Sequence, residues 1–301
     1  MKALTTDLMN KASSSAFGAV IILPGVLLLL LVQLYPLLYS LFISFHDYRL
    51  LRPELTEFVW LKNYIDIFSD EEFLNALSNT AIYVGLAIPI ELMIGFVLAL
   101  AIEKITRGKN LIRALLIVPQ FMAPIAMGFV WRFLYNDEFG LINFMLREIG
   151  IERPPLWLAD PDIALYSCII VEIWATVPIF MLLLSAGMAS ISSELIDAAK
   201  IDGANAIHRV RFIILPHLKP IILVALLIRG MDAFRVFDVV YSLTGGGPAL
   251  STDVLSLYLY RTAMLDRQFG DGASAAWIMM IMMLIASYVL IRTMYREGIK
   301  T

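Results

Sequence analysis

The sequence predicts an all-α, polytopic membrane protein with six transmembrane helices, and three observations lead to that fold class. Of the 301 residues, 60% are hydrophobic and 16% are charged, whereas an ordinary globular domain has roughly 45–50% and about 25%. Apolar runs of about 20 residues, the length that crosses roughly 30 Å of hydrocarbon, occur six times. None of the runs alternates polar and apolar residues with a period of two, so the pattern favours helices over a transmembrane β-barrel.

The six runs give the positions of the predicted membrane spans. The first run is longer than the apolar region of about 7–15 residues in a signal peptide and has no small-residue cleavage site after it, so we interpret it as a retained helix. Residues 17–296 then form one transmembrane domain between a cytoplasmic N-terminal segment, 1–16, and a cytoplasmic tail, 297–301. The spans cover approximately residues 17–45, 78–102, 111–133, 163–188, 213–231 and 273–295.

The distribution of Lys and Arg predicts that both termini are cytoplasmic. With the N-terminus inside, the inner segments hold thirteen of these residues, while the longer outer segments, 46–77, 132–162 and 232–272, hold nine. Cytoplasmic segments carry the excess of basic residues in membrane proteins. The one remaining basic residue, Arg229, lies within the fifth span.

The sequence shows no pattern for catalysis, nucleotide binding or metal binding. Gly245–Gly247 is followed by Pro248, not by the Lys of a phosphate-binding loop. The three histidines have no metal-ligand spacing, and the single cysteine excludes a disulfide framework. The net charge of −3 does not indicate nucleic acid. We therefore predict that the chain is not an enzyme and holds no cofactor or metal.

A segment of small and charged residues lies between the fourth and fifth spans, on the predicted inner side. Residues 197–216 read DAAKIDGANAIHRVRFIILP. Ser192 and Ser193 suit a helix N-cap, and Gly203 occupies a position where helices commonly end in a left-handed residue. A second short run, 204–211, precedes the fifth span. The pattern predicts two short helices joined at a glycine, at the membrane surface.

A surface segment of this kind has two possible functions, a membrane anchor or a docking surface for a protein. An interfacial anchor helix normally places large apolar residues opposite a face rich in Lys and Arg. Here Asp197 and Asp202 lie beside alanines, and the small side chains would let another backbone approach closely. The pattern therefore favours a docking surface for a protein.

The spacing of this segment resembles the EAA motif of bacterial and archaeal ABC importer permeases, with Asp197 where that family usually has Glu. The resemblance implies that loop 190–212 contains the coupling helix that inserts into a cleft of a cytoplasmic ATPase. The residues implied in coupling are Asp197, Ala198, Ala199, Asp202, Gly203, Ile213, Leu215 and Pro216.

Other stretches resemble the carbohydrate-uptake, maltose-type branch of these permeases. They are VWLKNY (59–64) with Asn79-Thr80, Trp131-Arg132 with Gly140 and Asn143, and DVVYSLTGGGP (238–248). The last is similar to the first of two paired permease subunits. The resemblance implies a bacterial or archaeal cytoplasmic membrane and import of a sugar. It also implies four kinds of partner: a second permease, two ATPase subunits that bind ATP and Mg²⁺, an extracytoplasmic solute-binding protein, and the lipid bilayer.

Polar and aromatic residues within or beside the spans are the candidates for the sugar pathway. An ionisable group costs about 2.5–3.5 kcal/mol at the centre of a spanning helix, so such groups are expected to face the bundle interior. Arg229 could pair with Glu172 or Asp232 as a structural ion pair, or it could contact the sugar. The candidates are Asn79, Tyr83, Glu91, Trp131, Tyr135, Glu172, Arg229, Asp232, Phe234, Arg235, Phe237, Asp238 and Tyr241.

Two alternatives to sugar import remain open at the level of sequence. One is an ABC permease for another solute, such as glycerol phosphate or a polyamine. The other is a secondary transporter or channel driven by an ion gradient, although the internal repeat common in that class is not evident. The identity of the sugar is not encoded in any recognisable pattern.

Overall fold

The structure, a computed structural model, describes residues 20–52, 54 and 56–298, with side chains as far as residue 293. The predicted cytoplasmic segment 1–16 and residues 299–301 of the predicted tail lie outside the described residues. The elements, in chain order, are α1 (Val20–Ser44), β1 (His46–Asp47), β2 (Glu57–Phe58), α2 (Lys62–Ile67), α3 (Glu71–Glu103), α4 (Lys109–Ile117), α5 (Pro124–Leu134), α6 (Leu141–Glu148), α7 (Ala164–Ala189), α8 (Ser193–Ile201), α9 (Ala206–Phe234), α10 (Asp238–Leu243), α11 (Leu255–Tyr260) and α12 (Phe269–Gly298).

Five of the described helices are long and apolar enough to cross a membrane, namely α1, α3, α7, α9 and α12. They correspond to five of the predicted spans. The third predicted span, 111–133, is not one straight helix, because Lys109–Phe121 and Pro124–Leu134 meet at an angle of 95°. The described residues therefore hold five candidate spans, or six if the bent pair counts as one.

The helix that contains the second predicted span begins before residue 78. Helix α3 starts at Glu71, because Oδ1 of Asp70 accepts a hydrogen bond from the backbone N–H of Glu72 at 2.9 Å and caps the helix. The acidic residues of the first turn also suit the positive end of the helix dipole. The first turns of α3 are polar, so the apolar run in the sequence begins later than the helix itself.

The contacts divide the chain into two compact units. The first comprises the described residues of Met1–Ile67 together with Thr262–Trp277. Its two-residue strands pair antiparallel, His46 opposite Phe58. Asn63 holds this region together, since its amide donates to the backbone oxygens of Ser44 at 3.0 Å and His46 at 2.9 Å.

The second unit, Phe68–Arg261 with the described residues from Ile278, contains the main helical core. Helix α7 is its central helix, since 67% of the residues in its most apolar stretch are buried, against 33% for α3. The two helices approach closely at Gly95, where an added Cβ would lie 2.5 Å from Cβ of Phe180 and 3.0 Å from the amide nitrogen of Met181. A side chain at position 95 would therefore force these helices apart.

A polar network attaches the connection between α9 and α12 to the N-terminal half of α3. Asn75 donates to the backbone oxygen of Leu250 at 2.7 Å, and Asn79 donates to that of Asp253 at 2.9 Å. Thr80 accepts from the backbone N–H of Leu255 at 2.9 Å. These bonds satisfy backbone groups of a segment that would otherwise be buried without partners.

Charged groups complete this attachment. Arg261 forms ion pairs with Asp253 at 2.6 Å and with Glu72 at 2.7 Å, and the hydroxyl of Tyr258 donates to Asp70 at 2.6 Å. Asp253 is 1% exposed. Burial raises the pKa of Asp253 to about 6, and Glu72 adds to the rise, while Arg261 opposes it.

This pKa predicts how acid changes the stability of the folded chain. An unfolded Asp has a pKa of about 3.9, so between about pH 4 and pH 6 the folded chain binds the proton more tightly. The stabilisation from Asp253 is present at about pH 4 and is lost as the pH rises through about 6. At about 1.4 kcal/mol per pKa unit, the change amounts to about 3 kcal/mol.

The variant Asp253→Asn removes this titration. In detergent, the thermal midpoint of the native chain should rise relative to that of Asp253→Asn when the pH is lowered from 7 to 4. Parallel pH profiles for the two proteins would contradict the buried, proton-binding environment of Asp253.

Candidate functional site

The bend between α4 and α5 lies at a pair of prolines. Helix α4 continues through a 3₁₀ turn, Val118–Phe121, and the chain is extended at Met122 and Ala123, with ψ of 139° and 126°. A residue before proline is driven out of the α region, as seen at Ala123 before Pro124. Broken helices within a membrane are tolerated where the freed backbone lines a cavity or is buried in protein.

A cavity of about 350 Å³ lies at this bend. Its walls come from the bend itself, from α7, from the C-terminal end of α9 and from the first turn of α10. The bend contributes Pro119, Gln120, Met122, Pro124 and Met127. The other elements contribute Glu172, Ala175, Thr176, Arg229, Asp232, Arg235, Val236, Phe237, Asp238 and Val239.

Three charged residues from three helices meet beside the cavity, and we call them the charged triad: Glu91 of α3, Glu172 of α7 and Arg229 of α9. Arg229 donates from Nε and Nη2 to the two carboxylate oxygens of Glu91, each at 3.2 Å. Its Nη2 also donates to Oε1 of Glu172 at 2.7 Å. Glu91 is fully buried, and the other two are nearly so. Such groups are costly in hydrocarbon unless they pair, so the triad couples three helices.

A second ion pair at the cavity is exposed. Nη2 of Arg235 donates to Oδ1 of Asp232 at 2.9 Å, with the two side chains 60% and 47% exposed. Asp238 follows in the first turn of α10. The cavity thus has a buried charged wall and a more open charged rim.

Aromatic rings continue from the cavity wall. Phe237 stacks on Tyr241 with ring centroids 5.2 Å apart, and Tyr260 lies edge-on to Phe237 at 5.2 Å and to Tyr241 at 5.8 Å. This aromatic cluster, Phe237, Tyr241 and Tyr260, places flat apolar faces next to hydrogen-bonding groups. That combination suits a hydroxyl-rich ring compound.

The structure brings six of the predicted pathway residues to the cavity and leaves the others elsewhere. Phe234 lines a separate apolar cavity of about 250 Å³ between α3, α9 and α12. Tyr83 and Tyr135 are buried in the main core, and Trp131 packs against that core. Asn79 uses its amide to hold Asp253 and Leu250. The six at the cavity are Glu172, Arg229, Asp232, Arg235, Phe237 and Asp238.

Of the two ion-pair partners predicted for Arg229, Glu172 lies 2.7 Å from its guanidinium group, while direct contact of Arg229 with the sugar stays a prediction. The pair with Asp232 is not present, because Asp232 pairs with Arg235. The second carboxylate on Arg229 belongs to Glu91, which the sequence identified as intramembrane but not as this partner.

Sequence analysis missed Gln120, Thr176 and Tyr260. Thr176 lies one helical turn after Glu172, and its hydroxyl donates to the Glu172 backbone oxygen at 2.7 Å, so the i,i+4 spacing could have indicated it. Gln120, a polar residue between Pro119 and Pro124, was a comparable signal. Tyr260 gave no signal, since its place depends on the folding of the connection between α9 and α12.

The segment predicted as two short helices forms one short helix and the start of a long one. Helix α8 begins after Ser192, whose hydroxyl accepts from the Leu195 N–H at 3.4 Å. The second run does not end at residue 211, because Ala206–Phe234 is one helix that passes through a π-helical turn at Val210–Ile214. A separate second short helix was therefore the wrong prediction.

The end of α8 shows why glycine is needed at position 203. Gly203 has a φ of +78°. The N–H of Ala204 donates to the Ala199 oxygen at 2.9 Å, and the N–H of Gly203 donates to the Lys200 oxygen at 3.1 Å. These two bonds define a Schellman motif, which requires a left-handed residue.

The surface around this motif is exposed and partly apolar. Ile201 and Ile207 are 87% and 76% exposed. Asp197 forms an exposed ion pair with Lys200 at 2.7 Å. Apart from its two chain neighbours, no described residue lies within 4 Å of the place where a Cβ of residue 203 would be, so a side chain there would project into open space.

Comparison with known proteins gives one family. The profile of the binding-protein-dependent transport system inner membrane component matches residues 71–297. The chain is 33% identical over 282 residues to the trehalose/maltose transport system permease protein MalF of Thermococcus litoralis, covering 94% of this chain and 95% of that protein. It is 34% identical over 275 residues to the probable ABC transporter permease protein y4oQ of Sinorhizobium fredii, covering 91% and 88%.

A solved structure shares the fold. A chain from a bacterial ABC transporter involved in the import of the acidic polysaccharide alginate superposes with a TM-score of 0.84. The match covers 96% of this chain and 99% of that chain at 21% sequence identity.

The charged triad predicts the effect of removing Arg229. In Arg229→Ala, Glu91 stays in the apolar interior without its cation, and breaking a buried pair in this way costs roughly 3–5 kcal/mol. The thermal midpoint of the purified chain and the yield of membrane-inserted protein should both fall. Arg235→Ala breaks an exposed pair, worth about 0–1 kcal/mol, and is the control. Equal stability of the two variants would contradict the structural role of the triad.

Proposed function

The chain belongs to the binding-protein-dependent transport system inner membrane components, and on that premise we propose that it is the permease subunit through which an ATP-binding-cassette importer moves a sugar across the cytoplasmic membrane. The observation that carries the proposal is the cavity at the bend between α4 and α5. It joins paired charges to an aromatic wall, as recognition of a hydroxyl-rich solute requires.

The relatives support sugar as the class of solute. One relative that aligns over nearly the whole chain is described as a trehalose/maltose permease. The aromatic cluster supplies ring faces, and the cavity supplies hydrogen-bonding side chains such as Gln120, Thr176 and Glu172. A sugar of one or a few rings is therefore the proposed cargo.

We further propose that the bent pair α4–α5 is the third of six spans. Both termini then lie in the cytoplasm, in agreement with the excess of Lys and Arg in the inner segments. In this orientation α8 lies on the cytoplasmic side, and the connection between α9 and α12 lies outside. Labelling of introduced cysteines on each side of the membrane tests this topology.

The exposed end of α8 is proposed to dock on a separate ATPase. Ile201 and Ile207 present apolar surface with no partner among the described residues of this chain, and the Schellman motif at Gly203 gives the helix a fixed end. Helix α8 can therefore act as a rigid handle that passes movement of the ATPase to α9, with which it is connected by four residues. ATP and Mg²⁺ would be bound by the ATPase and not by this chain.

The proposed assembly contains further subunits. A second permease of the same fold would complete the pathway. A binding protein is also expected, because the family is described as binding-protein-dependent. Two ATPase subunits would bind the two permeases, and an extracytoplasmic sugar-binding protein would deliver the sugar. Co-purification of these chains with a tagged copy of this protein tests the composition.

The alternative of a transporter driven by an ion gradient has no support in the family membership. An ABC permease for another solute, such as glycerol phosphate or a polyamine, is the competing proposal. The two are separated by uptake measurements on the assembled complex in proteoliposomes. Sugar uptake that depends on ATP and on the binding protein is expected. Uptake of glycerol phosphate or a polyamine without uptake of any sugar would favour the competing proposal, and uptake that continues without ATP would contradict ATP-driven import.

Gly203 gives a sharper test of the coupling role. Any residue with a Cβ pays roughly 1–2 kcal/mol in a left-handed conformation, and an Asp side chain would also project towards the partner. Gly203→Asp should insert into the membrane near the native level but lose ATPase association or sugar-stimulated ATP hydrolysis. Asp197→Glu, which restores the family's usual residue, should be close to neutral.

Gly150→Asp is the matched control. Gly150 also has a positive φ, +95°, and open space where a Cβ would lie, but it lies at the end of α6 on the proposed outer side. It should suffer the same backbone strain without losing the ATPase. If Gly203→Asp transports at the native rate with its ATPase bound, α8 is not the coupling element.

A further inference from the structure

The charged triad contains two carboxyl groups but only one guanidinium group. Arg229 engages both oxygens of Glu91, at 3.2 Å each, and only Oε1 of Glu172. Glu91 thus binds Arg229 through both of its oxygens, whereas Oε2 of Glu172 accepts no hydrogen bond from Arg229. Glu91 is therefore paired with Arg229 through both oxygens, and Glu172 through only one.

The two carboxyl groups also differ in their position relative to the cavity. Glu172 lines the cavity, whereas Glu91 does not and is fully buried. The carboxyl group that Arg229 engages through only one oxygen is consequently the one that lines the cavity. This coincidence of geometry and access indicates a division of roles within the triad.

The rest of the cavity adds to the acidic excess. Asp232 is paired with Arg235, while Asp238 has no ion pair among the described residues. The lining thus holds three carboxyl groups, Glu172, Asp232 and Asp238, for two guanidinium groups, Arg229 and Arg235, and one of these guanidinium groups is also paired with the buried Glu91. A wall of this kind accepts hydrogen bonds from hydroxyl groups and repels carboxylates, sulfonates and phosphates.

We propose that Glu172 is a specificity-determining residue that accepts hydrogen bonds from sugar hydroxyls, and that Glu91 is a positioning residue that keeps Arg229 from covering both oxygens of Glu172. The arrangement selects uncharged sugars over anionic ones. This inference rests on the proposed function, since it concerns which sugars the same cavity takes.

A purely structural triad makes a different prediction. If Glu91, Glu172 and Arg229 only held three helices together, loss of a carboxylate would lower stability and leave the relative affinity for different sugars unchanged. The decisive quantity is therefore the ratio of affinities for uncharged and anionic sugars, which destabilisation alone does not alter.

The experiment measures sugar binding to the purified complex without its binding protein, so that the specificity of that protein does not enter. The probes are a panel of uncharged mono- and disaccharides and the corresponding hexuronates, measured by calorimetry. The native complex should bind the best uncharged sugar at least about tenfold more tightly than its hexuronate counterpart. Glu172→Gln should weaken binding of the uncharged sugar about tenfold or more, as expected for one hydrogen bond to a charged group, and should reduce the ratio.

Glu91→Gln should reduce the ratio as well, because Arg229 would then turn both donors to Glu172 and neutralise it. Glu103→Gln is the matched control, since Glu103 lies on the same helix α3 and also loses an ion pair, with Lys109 at 2.9 Å, but is remote from the cavity. It should leave both affinity and ratio unchanged. If Glu172→Gln does not assemble, Glu172→Asp keeps the charge but retracts the carboxyl group by one methylene and should weaken binding of the uncharged sugar.

The outcomes separate the two levels of the proposal. A native complex that binds and imports no sugar of the panel overturns the proposed function, and this inference with it. A complex that imports sugars but binds hexuronates as tightly as uncharged sugars overturns only the inference. Native affinity and native ratio in Glu172→Gln, or native affinity in Glu172→Asp where that variant is used, would equally contradict it.

Discussion

The pairing of Arg229 with two carboxylates is the interaction on which the helical core depends. A guanidinium group between membrane helices is tolerated only if other charges accompany it, and here they come from two different helices, α3 and α7. The pair at 2.7 Å to Glu172 and the bidentate pair to Glu91 therefore fix how α9 is placed against both helices. Close contact of α3 and α7 at Gly95 sets the separation at which the two carboxylates can share one cation.

The cavity follows from the same constraint. Glu172 and Arg229 form one side of the cavity and make it polar. The 95° bend forms the other side, where a straight helix would otherwise fill the space. Close packing of Gly128 of α5 against Ser242 of α10 holds the bend in place. A polar space within an apolar bundle, bordered by aromatic rings, is what a permease for a hydroxyl-rich solute needs. The exposed end of α8, continued by α9, connects this space to the proposed ATPase surface.

Sequence patterns predicted the features that depend on local chemistry. The apolar runs gave five helices, and Gly203 with Ser192 gave the end and the start of α8, because capping is decided by neighbouring residues. Features that depend on packing between distant helices were missed. Asp232 is closest to Arg229 in sequence, but the register between α3 and α9 brings Glu91 to it instead. Asn79 holds a connection more than 170 residues further along the chain, which no local pattern reveals. Pro119 and Pro124 can interrupt a spanning helix, but no local pattern sets the 95° angle of the bend.

The central claim is that sugar passes through the cavity at the bend, and thiol protection tests it most directly. Cys168 is fully buried, so a cysteine introduced as Asp238→Cys at the cavity rim can be labelled against a low background in the reconstituted complex. The account predicts that a transported sugar slows labelling of Asp238→Cys, while Glu138→Cys in the connection after α5, away from the cavity, labels at the same rate with and without sugar. Equal labelling of Asp238→Cys in the presence and absence of a sugar that the complex transports would contradict the account.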